Sequence, residues 1–279
     1  MKRKDEVREL NKLSPEEVKN KAGKHLMVLR DSQEIYQYFA EHMRDLIVRN
    51  NAKGKETAGI FPFGPYPEYP IFVEMVNRER ISLANTHFFF MDEYADINGV
   101  EIPADHYLSL RGQLYKIFET IDKELLPDFS KVIFPSAANL SQLKGLIAAK
   151  HLDVSYGGVG VHGHLAFNEP EPGVRDTDPR IAFINDFTVT LGAIRFGVGG
   201  DLENFPRRGL TVGMNQLLSA NEVVLMTRSG IPGIDWATTV VRIAVLGEIG
   251  DDYPVTHIRK HKNWVLLTDE DSIRTPISI

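Results

Sequence analysis

Short apolar runs that alternate with longer amphipathic stretches dominate the chain from about residue 57 onwards. Each run has the length of a strand and lacks the polar alternation of a half-exposed one, as expected for strands buried on both faces. The runs predicted to be strands are Thr57–Phe61, Thr86–Met91, Lys131–Phe134, Val154–Val159, Glu222–Met226 and Trp264–Thr268. A sheet built from such strands must be covered on both sides.

The stretches between these runs carry apolar residues at helical spacing. The predicted helices include one that begins at Asp31 and the segments Tyr69–Asn77, Leu108–Ile121 and Leu140–Ala149. Strands separated by helices require crossover connections, which are right-handed and join parallel strands. The sequence therefore predicts a doubly wound, Rossmann-like α/β fold with a mainly parallel sheet and helices on both faces.

The first 25 residues are highly charged and carry one capped helix signal. Ser14 is placed as N-cap, Pro15 at the first helical position, and Glu17 completes a capping box. Neither an internal repeat nor a low-complexity linker interrupts the rest of the sequence. We expect an N-terminal arm over residues 1–25 and a single α/β domain over residues 26–279.

Charge and composition exclude several classes of function. The formal net charge is −6, with 32 basic and 38 acidic residues, so no positive field is present to attract nucleic acid. The absence of cysteine excludes disulfides, thiolate nucleophiles and Cys-ligated zinc. The N-terminus lacks an apolar signal region, and no stretch approaches the roughly 18 apolar residues that span a bilayer. We expect a cytoplasmic protein without a membrane or nucleic-acid partner.

In open parallel sheets ligands bind at the carboxyl ends of the strands. At one such end Asp92 and Glu93 directly follow the apolar run "THFFFM". Partial desolvation there raises the pKa of a carboxyl group and makes it a usable base. Acidic residues after strands also serve as helix N-caps, and these residues alone do not separate the two roles.

The segment "GGVGVHGHLAFNEP", residues 157–170, follows another predicted strand and holds His162 and His164. If the segment is extended, strand alternation points both imidazoles the same way. Such a pair can ligate a metal together with Asp92 and Glu169. It can also supply acid–base chemistry, with Glu169 fixing the imidazole tautomer, or form a polar turn without a catalytic role. The residues alone leave these three interpretations open.

Two of these segments, "GGVGVHGHLAFNEP" and "FFFMDEYADI", resemble the signatures of the glucosamine-6-phosphate deaminase/isomerase family. The likeness continues in "RRGLTVGMNQLLSANEVVLM" and "HKNWVLLTDEDS", and it covers roughly residues 26–272. The related 6-phosphogluconolactonases share the fold, but their histidine motif does not continue into "FNEP". The resemblance therefore favours the deaminase/isomerase side.

The resemblance implies aldose–ketose isomerisation of a hexose derivative through an enediol-like intermediate, coupled in the true deaminases to loss of ammonia from C2. By this resemblance Asp92 moves the proton between C1 and C2, His164 opens the pyranose ring by protonating its ring oxygen, and Glu169 orients His164. The family needs neither a cofactor nor a metal. It often forms symmetric oligomers, so the expected partners are a small sugar substrate and further copies of this chain.

One departure from the family lies beside the catalytic histidine. The deaminases carry an aspartate two residues before it, where this chain has His162. An imidazole cannot attract a substrate ammonium as a carboxylate does. Deamination of an amino sugar is therefore less expected than isomerisation of a neutral 2-hydroxy sugar, with His162 as a further candidate catalytic residue.

The other departures affect phosphate binding. The family's Gly/Ser/Thr-rich turn reads "FPFGPYPEYP" here, which contains no Ser or Thr and retains only Gly64 as a small element. Pro232 lies at or near the family's phosphate-binding lysine, while Arg195 matches a phosphate-contacting arginine and Arg228 is placed to compensate. The expected substrate-binding residues are Gly64, Glu93, Arg195 and Arg228. Two arginines also suit an anion of another shape, such as a sulfonate or carboxylate.

Other functions are compatible with the same residues. A sugar-sensing or regulatory protein that kept the fold and lost catalysis is favoured by the altered phosphate loop and by His162, and disfavoured by the intact "DEY" and "GHLAFNEP" segments. A metal-dependent sugar isomerase is the remaining alternative, with His162, His164 and a carboxylate as ligands.

Overall fold

The computed structural model describes residues 1–63, 67–228, 234–277 and 279. Its strands are β1 (Leu26–Leu29), β2 (Thr57–Phe61), β3 (Thr86–Phe90), β4 (Asp92–Ala95), β5 (Val132–Ile133), β6 (Val154–Gly158), β7 (Arg180–Phe183), β8 (Arg208–Thr211), β9 (Glu222–Met226) and β10 (Trp264–Asp269).

The α-helices are α1 (Arg3–Asn11), α2 (Pro15–Ala22), α3 (Ser32–Asn51), α4 (Glu68–Glu79), α5 (Leu110–Phe118), α6 (Leu140–Ala148), α7 (Asp186–Arg195), α8 (Met214–Leu217), α9 (Ala237–Leu246) and α10 (Glu270–Ile273). Short 3-10 helices lie at Gly23–His25, Lys123–Leu125, Phe129–Lys131, Val174–Asp176 and Pro254–Lys260. Along the described ranges, no helix combines the length and the apolar content that crossing a membrane requires.

Within the described residues, a seven-stranded sheet has the order β1-β10-β9-β6-β2-β3-β5, and its neighbouring strands are parallel. Successive residues of a strand belong to cores on opposite faces: Phe88 and Phe90 pack with α3, α4 and α5, whereas Phe89 and Met91 pack with α6 and α9. This alternation confirms the predicted parallel α/β fold with helices on both faces.

The apolar runs located six of the seven strands of this sheet, whereas β1 (Leu26–Leu29) was not predicted. Thr57–Phe61 and Glu222–Met226 are strands with the predicted bounds, and the others differ at their ends. The shortest is β5, because a 3-10 helix at Phe129–Lys131 replaces its expected beginning. The Asp31 side chain accepts from the Glu34 amide at 2.9 Å, so α3 begins where the capping signal placed it.

A second sheet was not predicted. Strands β4, β8 and β7 form a small antiparallel sheet in which Asp92 pairs with Thr211. The sequence predicted only that Asp92 and Glu93 follow a strand, because the segment Asp92–Ala95 does not form an apolar run of its own. The antiparallel pairing instead turns this segment into a strand and holds its side chains in fixed directions.

The N-terminal residues form helices that pack against α9. Ser14 and Glu17 make the predicted capping box at the start of α2. Farther along the chain, the buried Arg242 of α9 donates to the Thr238 carbonyl at 3.0 Å and to the Leu13 and Ile273 carbonyls at 3.1 Å each. One guanidinium therefore joins α9 to the N-terminal helices and to α10.

Replacing this guanidinium tests how strongly it holds the elements together. Arg242→Met leaves the Leu13 and Ile273 carbonyls without their donor and is expected to lower the free energy of unfolding by about 3 kcal/mol. The measurement is urea denaturation followed by circular dichroism. Lys12→Met, at an exposed side chain of the same N-terminal region, is the control and should change stability little. Equal stability of the two variants would contradict the stabilising role assigned to the Arg242 guanidinium.

Candidate active site

A cavity of about 420 Å³ opens where the carboxyl ends of β6 and β9 meet β4 and α7. This volume suits a small ligand. Its lining includes four residues singled out from the sequence, namely Asp92, His164, Arg195 and Arg228. The parallel sheet thus brings together, at one edge, side chains from widely separated segments of the chain.

Asp92 is the first residue of β4 and lies in the cavity wall with only 8% of its surface exposed. Burial, and to a lesser degree the negative charge of Glu93, raises the pKa of Asp92 to about 8. A carboxyl group with this pKa exchanges a proton near neutral pH. Asp92 therefore has the position and the acidity of a general base.

Glu93 points away from the cavity. Its carboxylate accepts from the backbone amides of Tyr94, Leu110 and Arg111 and from the Ser109 hydroxyl, at 2.8–3.0 Å. Those donors belong largely to the N-terminus of α5, where a negative charge is favourable. Glu93 thus has a helix-capping role, which corrects the substrate-binding role expected from the sequence.

A tight turn shapes the histidine segment. The Gly160 amide donates to the His164 carbonyl at 3.0 Å, and Gly163 takes a left-handed conformation with φ of +67°. A Cβ atom at Gly160 would lie 1.9 Å from His164 Nε2, so the imidazole packs directly over this glycine. The glycines of the motif are therefore needed to seat His164 in the cavity wall.

Glu169 supports His164 from behind. Oε2 of the carboxylate lies 3.3 Å from His164 Nδ1 and accepts from Asn185 Nδ2 at 2.6 Å. Burial alone would raise the pKa of Glu169, but His164, Thr188 and Asn185 together hold it below its usual value. An ionised Glu169 fixes the proton of the imidazole on Nδ1 when the ring is neutral.

His162 does not share this environment. Its ring makes edge-to-face contacts with Phe187 at 4.9 Å and with Tyr253 at 5.9 Å, measured between ring centroids, and it does not line the cavity. The expectation that both imidazoles point the same way is wrong, because the turn at Gly163 interrupts the extended backbone that strand alternation requires. His162 packs between aromatic rings in place of the catalytic role expected for it.

The metal interpretation fails on the same geometry. The imidazoles of His162 and His164 point to different surroundings, and in the ranges that the structure describes no group of three His, Asp or Glu side chains could hold a metal ion. A metal site needs several such donors converging on one point.

The arginines of the cavity rest on aromatic rings. The Arg228 guanidinium lies 4.8 Å from the centroid of Tyr36, and that of Arg195 lies 5.7 Å from the centroid of Trp236. These contacts orient the two cations by cation–π attraction. Burial in the site and the charge of Arg228 lower the pKa of Arg195 below its usual value, but the side chain stays protonated at neutral pH. The cavity thus presents two positive charges to a ligand.

Part of the expected phosphate region lies outside the described residues. This applies to Gly64, predicted to bind substrate, and to Pro232, expected at the position of the family's lysine. The neighbouring Pro67 does line the cavity.

Several site residues had not been predicted. Tyr36, Trp236 and Thr188 line the cavity, and Asn185 both caps α7 and donates to Glu169. Of these, only Asn185 has a local signal, since an Asn three residues before Thr188 is a typical helix N-cap. The others reach the cavity through tertiary packing, which no short-range pattern reports.

The seat of His164 can be tested without a substrate. Gly160→Ala is expected to displace the imidazole from Glu169, because the added methyl group occupies its position. Nitrogen-15 NMR of the histidine side chains should then show altered ring-nitrogen chemical shifts for His164. Gly145→Ala, at an open position on α6, is the matched control and should leave the His164 signals unchanged. Unchanged signals in Gly160→Ala would rule out the described packing.

Curated proteins support the family suggested by the motifs, although no family model matches the chain. The glucosamine-6-phosphate deaminase of Rhodopirellula baltica is 29% identical over 214 residues, which cover 74% of this chain and 78% of that protein. The enzyme of the same name from Aliivibrio fischeri is 26% identical over 259 residues, covering 88% of this chain and 91% of that protein.

Solved structures confirm the fold. A monomeric glucosamine-6-phosphate deaminase superposes with a TM-score of 0.75 at 20% identity, covering 89% of this chain and 99% of that one. The 6-phosphogluconolactonase of Leishmania guyanensis gives a TM-score of 0.64 at 14% identity, covering 90% and 97%. The curated relatives and the motifs thus show that the chain is similar in sequence to glucosamine-6-phosphate deaminases, and the solved structures show that it shares their fold.

Proposed function

We propose that this protein is a sugar isomerase that interconverts an aldose and a ketose form of an anionic hexose derivative, with loss of ammonia where the substrate carries an amine at C2. The observation that carries the proposal is the placement of Asp92 and His164 in the wall of one cavity, with Glu169 behind the imidazole. The relatives are named for the corresponding reaction of glucosamine 6-phosphate.

The first step opens the pyranose ring. His164 keeps one nitrogen toward Glu169 and Thr188, which leaves Nε2 to exchange a proton with the ring oxygen. Imidazole suits this step because it titrates near neutral pH. The negative charge of Glu169 stabilises the protonated imidazole of His164 and holds its orientation.

The second step moves a proton between C1 and C2 of the open chain. Asp92 takes the proton from one carbon and returns it to the other, and its raised pKa brings its basicity closer to what enolisation needs. Arg195 and Arg228 bind the anionic end of the sugar and so keep the reacting carbons close to Asp92. Each group thus has one role, which follows from its position in the cavity.

Incubation with glucosamine 6-phosphate, followed by assays for ammonia and for the ketose 6-phosphate, tests the deaminase reaction. Solvent deuterium incorporation at C1 and C2 of 2-hydroxy sugars tests isomerisation independently. Because His162 replaces a carboxylate and lies outside the cavity, we expect isomerisation to be the faster of the two reactions. Ammonia release without detectable deuterium incorporation into a 2-hydroxy sugar would contradict this order.

Asp92→Asn should abolish proton transfer while the protein stays folded. We expect deuterium incorporation to fall by about a hundredfold or more, because the amide cannot act as a base. Asp105→Asn, at an exposed side chain, is the control and should retain the rate. An Asp92→Asn variant with the rate of the control would remove Asp92 from the mechanism.

The pH dependence follows from the pKa of Asp92. A base works only when ionised, so kcat/KM should fall about tenfold for each pH unit below about 8 and level off above it. Glu93→Gln removes the neighbouring negative charge that helps to raise this pKa, and we expect it to move the descending limb to lower pH. The measurement is the pH–rate profile of both proteins. Superimposable profiles would show that the fall of kcat/KM at low pH reports the titration of a group other than Asp92.

A further inference from the structure

Several buried polar atoms without partners belong to residues that line the cavity or directly follow a lining residue in the chain. In the described part of the chain, these atoms include Thr227 Oγ1, Arg228 Nε and both carboxyl oxygens of Glu68. The three residues are almost wholly buried, with 1%, 8% and 1% of their surfaces exposed. Each buried polar atom without a hydrogen bond costs about 1–3 kcal/mol, so a cluster of them points to a ligand that completes the bonds.

The three residues belong to one place in the fold. Thr227 and Arg228 directly follow β9 and line the cavity. Glu68 is the first residue of α4, directly after Pro67, which also lines the cavity. The positive charge of Arg228 lowers the pKa of Glu68, and the charges of Arg228 and Glu68 both influence the pKa of the Tyr36 hydroxyl. The three groups are therefore neighbours.

The charged and titratable groups around this place come from several elements. Arg228 follows β9, Arg195 ends α7, Tyr36 lies on α3 and Tyr69 on α4, and all of them interact with Glu68 or with its neighbours. Asp269, the last residue of β10, is already bonded, because it accepts from the Ser32 hydroxyl and from the Ser272 amide. Glu68 is therefore the carboxyl group here whose oxygens are left for a ligand.

We propose that Glu68 binds the anionic end of the substrate as a neutral carboxylic acid, donating its proton to an oxygen of an anion that also accepts from Arg228 and Thr227. This inference takes the sugar substrate from the proposed function, but the anion subsite itself is independent of catalysis. The carboxylic acid of Glu68, which belongs to the segment "FPFGPYPEYP", and the hydroxyl of Thr227 act here as donors in a site where that segment carries no Ser or Thr.

The protonation state of Glu68 suits this role. Burial raises the pKa of Glu68 to about 8, even though Arg228 nearby opposes the shift. The group is thus mostly neutral at pH 7, and an anion placed against it favours the neutral form further. The ligand class that fits is an oxyanion, because phosphate, sulfonate and carboxylate all present acceptor oxygens to these donors.

A specific consequence is that anion binding takes up a proton when the solution is alkaline. Above about pH 8, free Glu68 is ionised and must regain its proton before the anion binds. Affinity should then fall about tenfold per pH unit. Sulfate is a suitable probe, because its own charge does not change between pH 6 and pH 9, whereas that of phosphate does.

The test is isothermal titration of the protein with sulfate, and separately with methanesulfonate, from pH 6 to pH 9. We expect the Kd of the wild-type protein for sulfate to rise about tenfold between pH 7 and pH 9. Glu68→Gln keeps a donor without a titrating proton, so its Kd should be independent of pH. Glu68→Leu lacks the donor and should bind more weakly throughout.

Asp105→Asn, at an exposed side chain that does not line the cavity, is the matched control. Its Kd for sulfate should keep the pH dependence of the wild-type protein. A pH dependence that survives in Glu68→Gln would overturn the proposal, because it would assign the titration to another group. So would the failure of both anions to bind the wild-type protein.

Proton uptake gives a measurement that needs no variant, in case Glu68→Gln does not fold. Titrations at pH 9 in two buffers of different ionisation enthalpy should show close to one proton taken up per sulfate bound, and zero uptake would overturn the proposal. Sugar 6-phosphates, 6-sulfonates and uronic acids then show which oxyanion binds best. Proton-linked anion binding without sugar turnover would refute the proposed function and leave this inference standing.

Discussion

The burial of two adjacent carboxyl groups, Asp92 and Glu93, is the constraint on which the site depends. They lie where β3 of the parallel sheet continues into β4 of the antiparallel sheet. Strand alternation sends them to opposite sides, so Glu93 meets the N-terminus of α5 while Asp92 meets the cavity. The donors of α5 stabilise the buried charge of Glu93, while burial, and to a lesser degree that charge, raises the pKa of Asp92.

Strand β8 links this pair of carboxyl groups to the histidine segment. It pairs with β4 opposite Asp92, and its Thr211 hydroxyl accepts from the Phe167 amide at 3.2 Å. Asn168 donates to the Val212 carbonyl at 2.9 Å, just beyond the same strand. Asp92 and the segment that carries His164 are therefore positioned by one short strand, so a shift in its register would move both.

The sequence predicts those helices and strands whose formation depends on residues close together in the chain. Buried strands such as Thr57–Phe61 need unbroken apolar residues, and helices such as α3 need a cap, so both leave a readable pattern. Strands β4 and β8 leave none, because their pairing is antiparallel and their residues are partly polar. Asp92, His164 and Glu169 were found through their motifs, whereas the direction of His162 depended on a single left-handed residue, Gly163.

Glu68 shows why the remaining part of the site could not be predicted. A glutamate in the first turn of a helix is ordinarily a solvated residue that favours the helix dipole, and nothing in its local sequence distinguishes it. Only the fold reveals that Tyr36, Tyr69 and the end of β9 enclose it. The role proposed for the buried Glu68 depends on its proximity to Arg228, which is distant in sequence.

Charge balance in the cavity favours a substrate with an anionic end. Asp92 and Glu68 are both largely neutral at pH 7, Glu169 lies beside His164, and among the described residues no salt bridge joins Arg195 or Arg228 to a carboxylate. A neutral sugar would leave both cations without an ion pair in a partly desolvated site, which is costly. An oxyanion at that end neutralises them and at the same time supplies acceptors for Glu68 and Thr227. The altered phosphate loop is therefore compatible with a site that still binds an anionic substrate but uses different donor groups to do so.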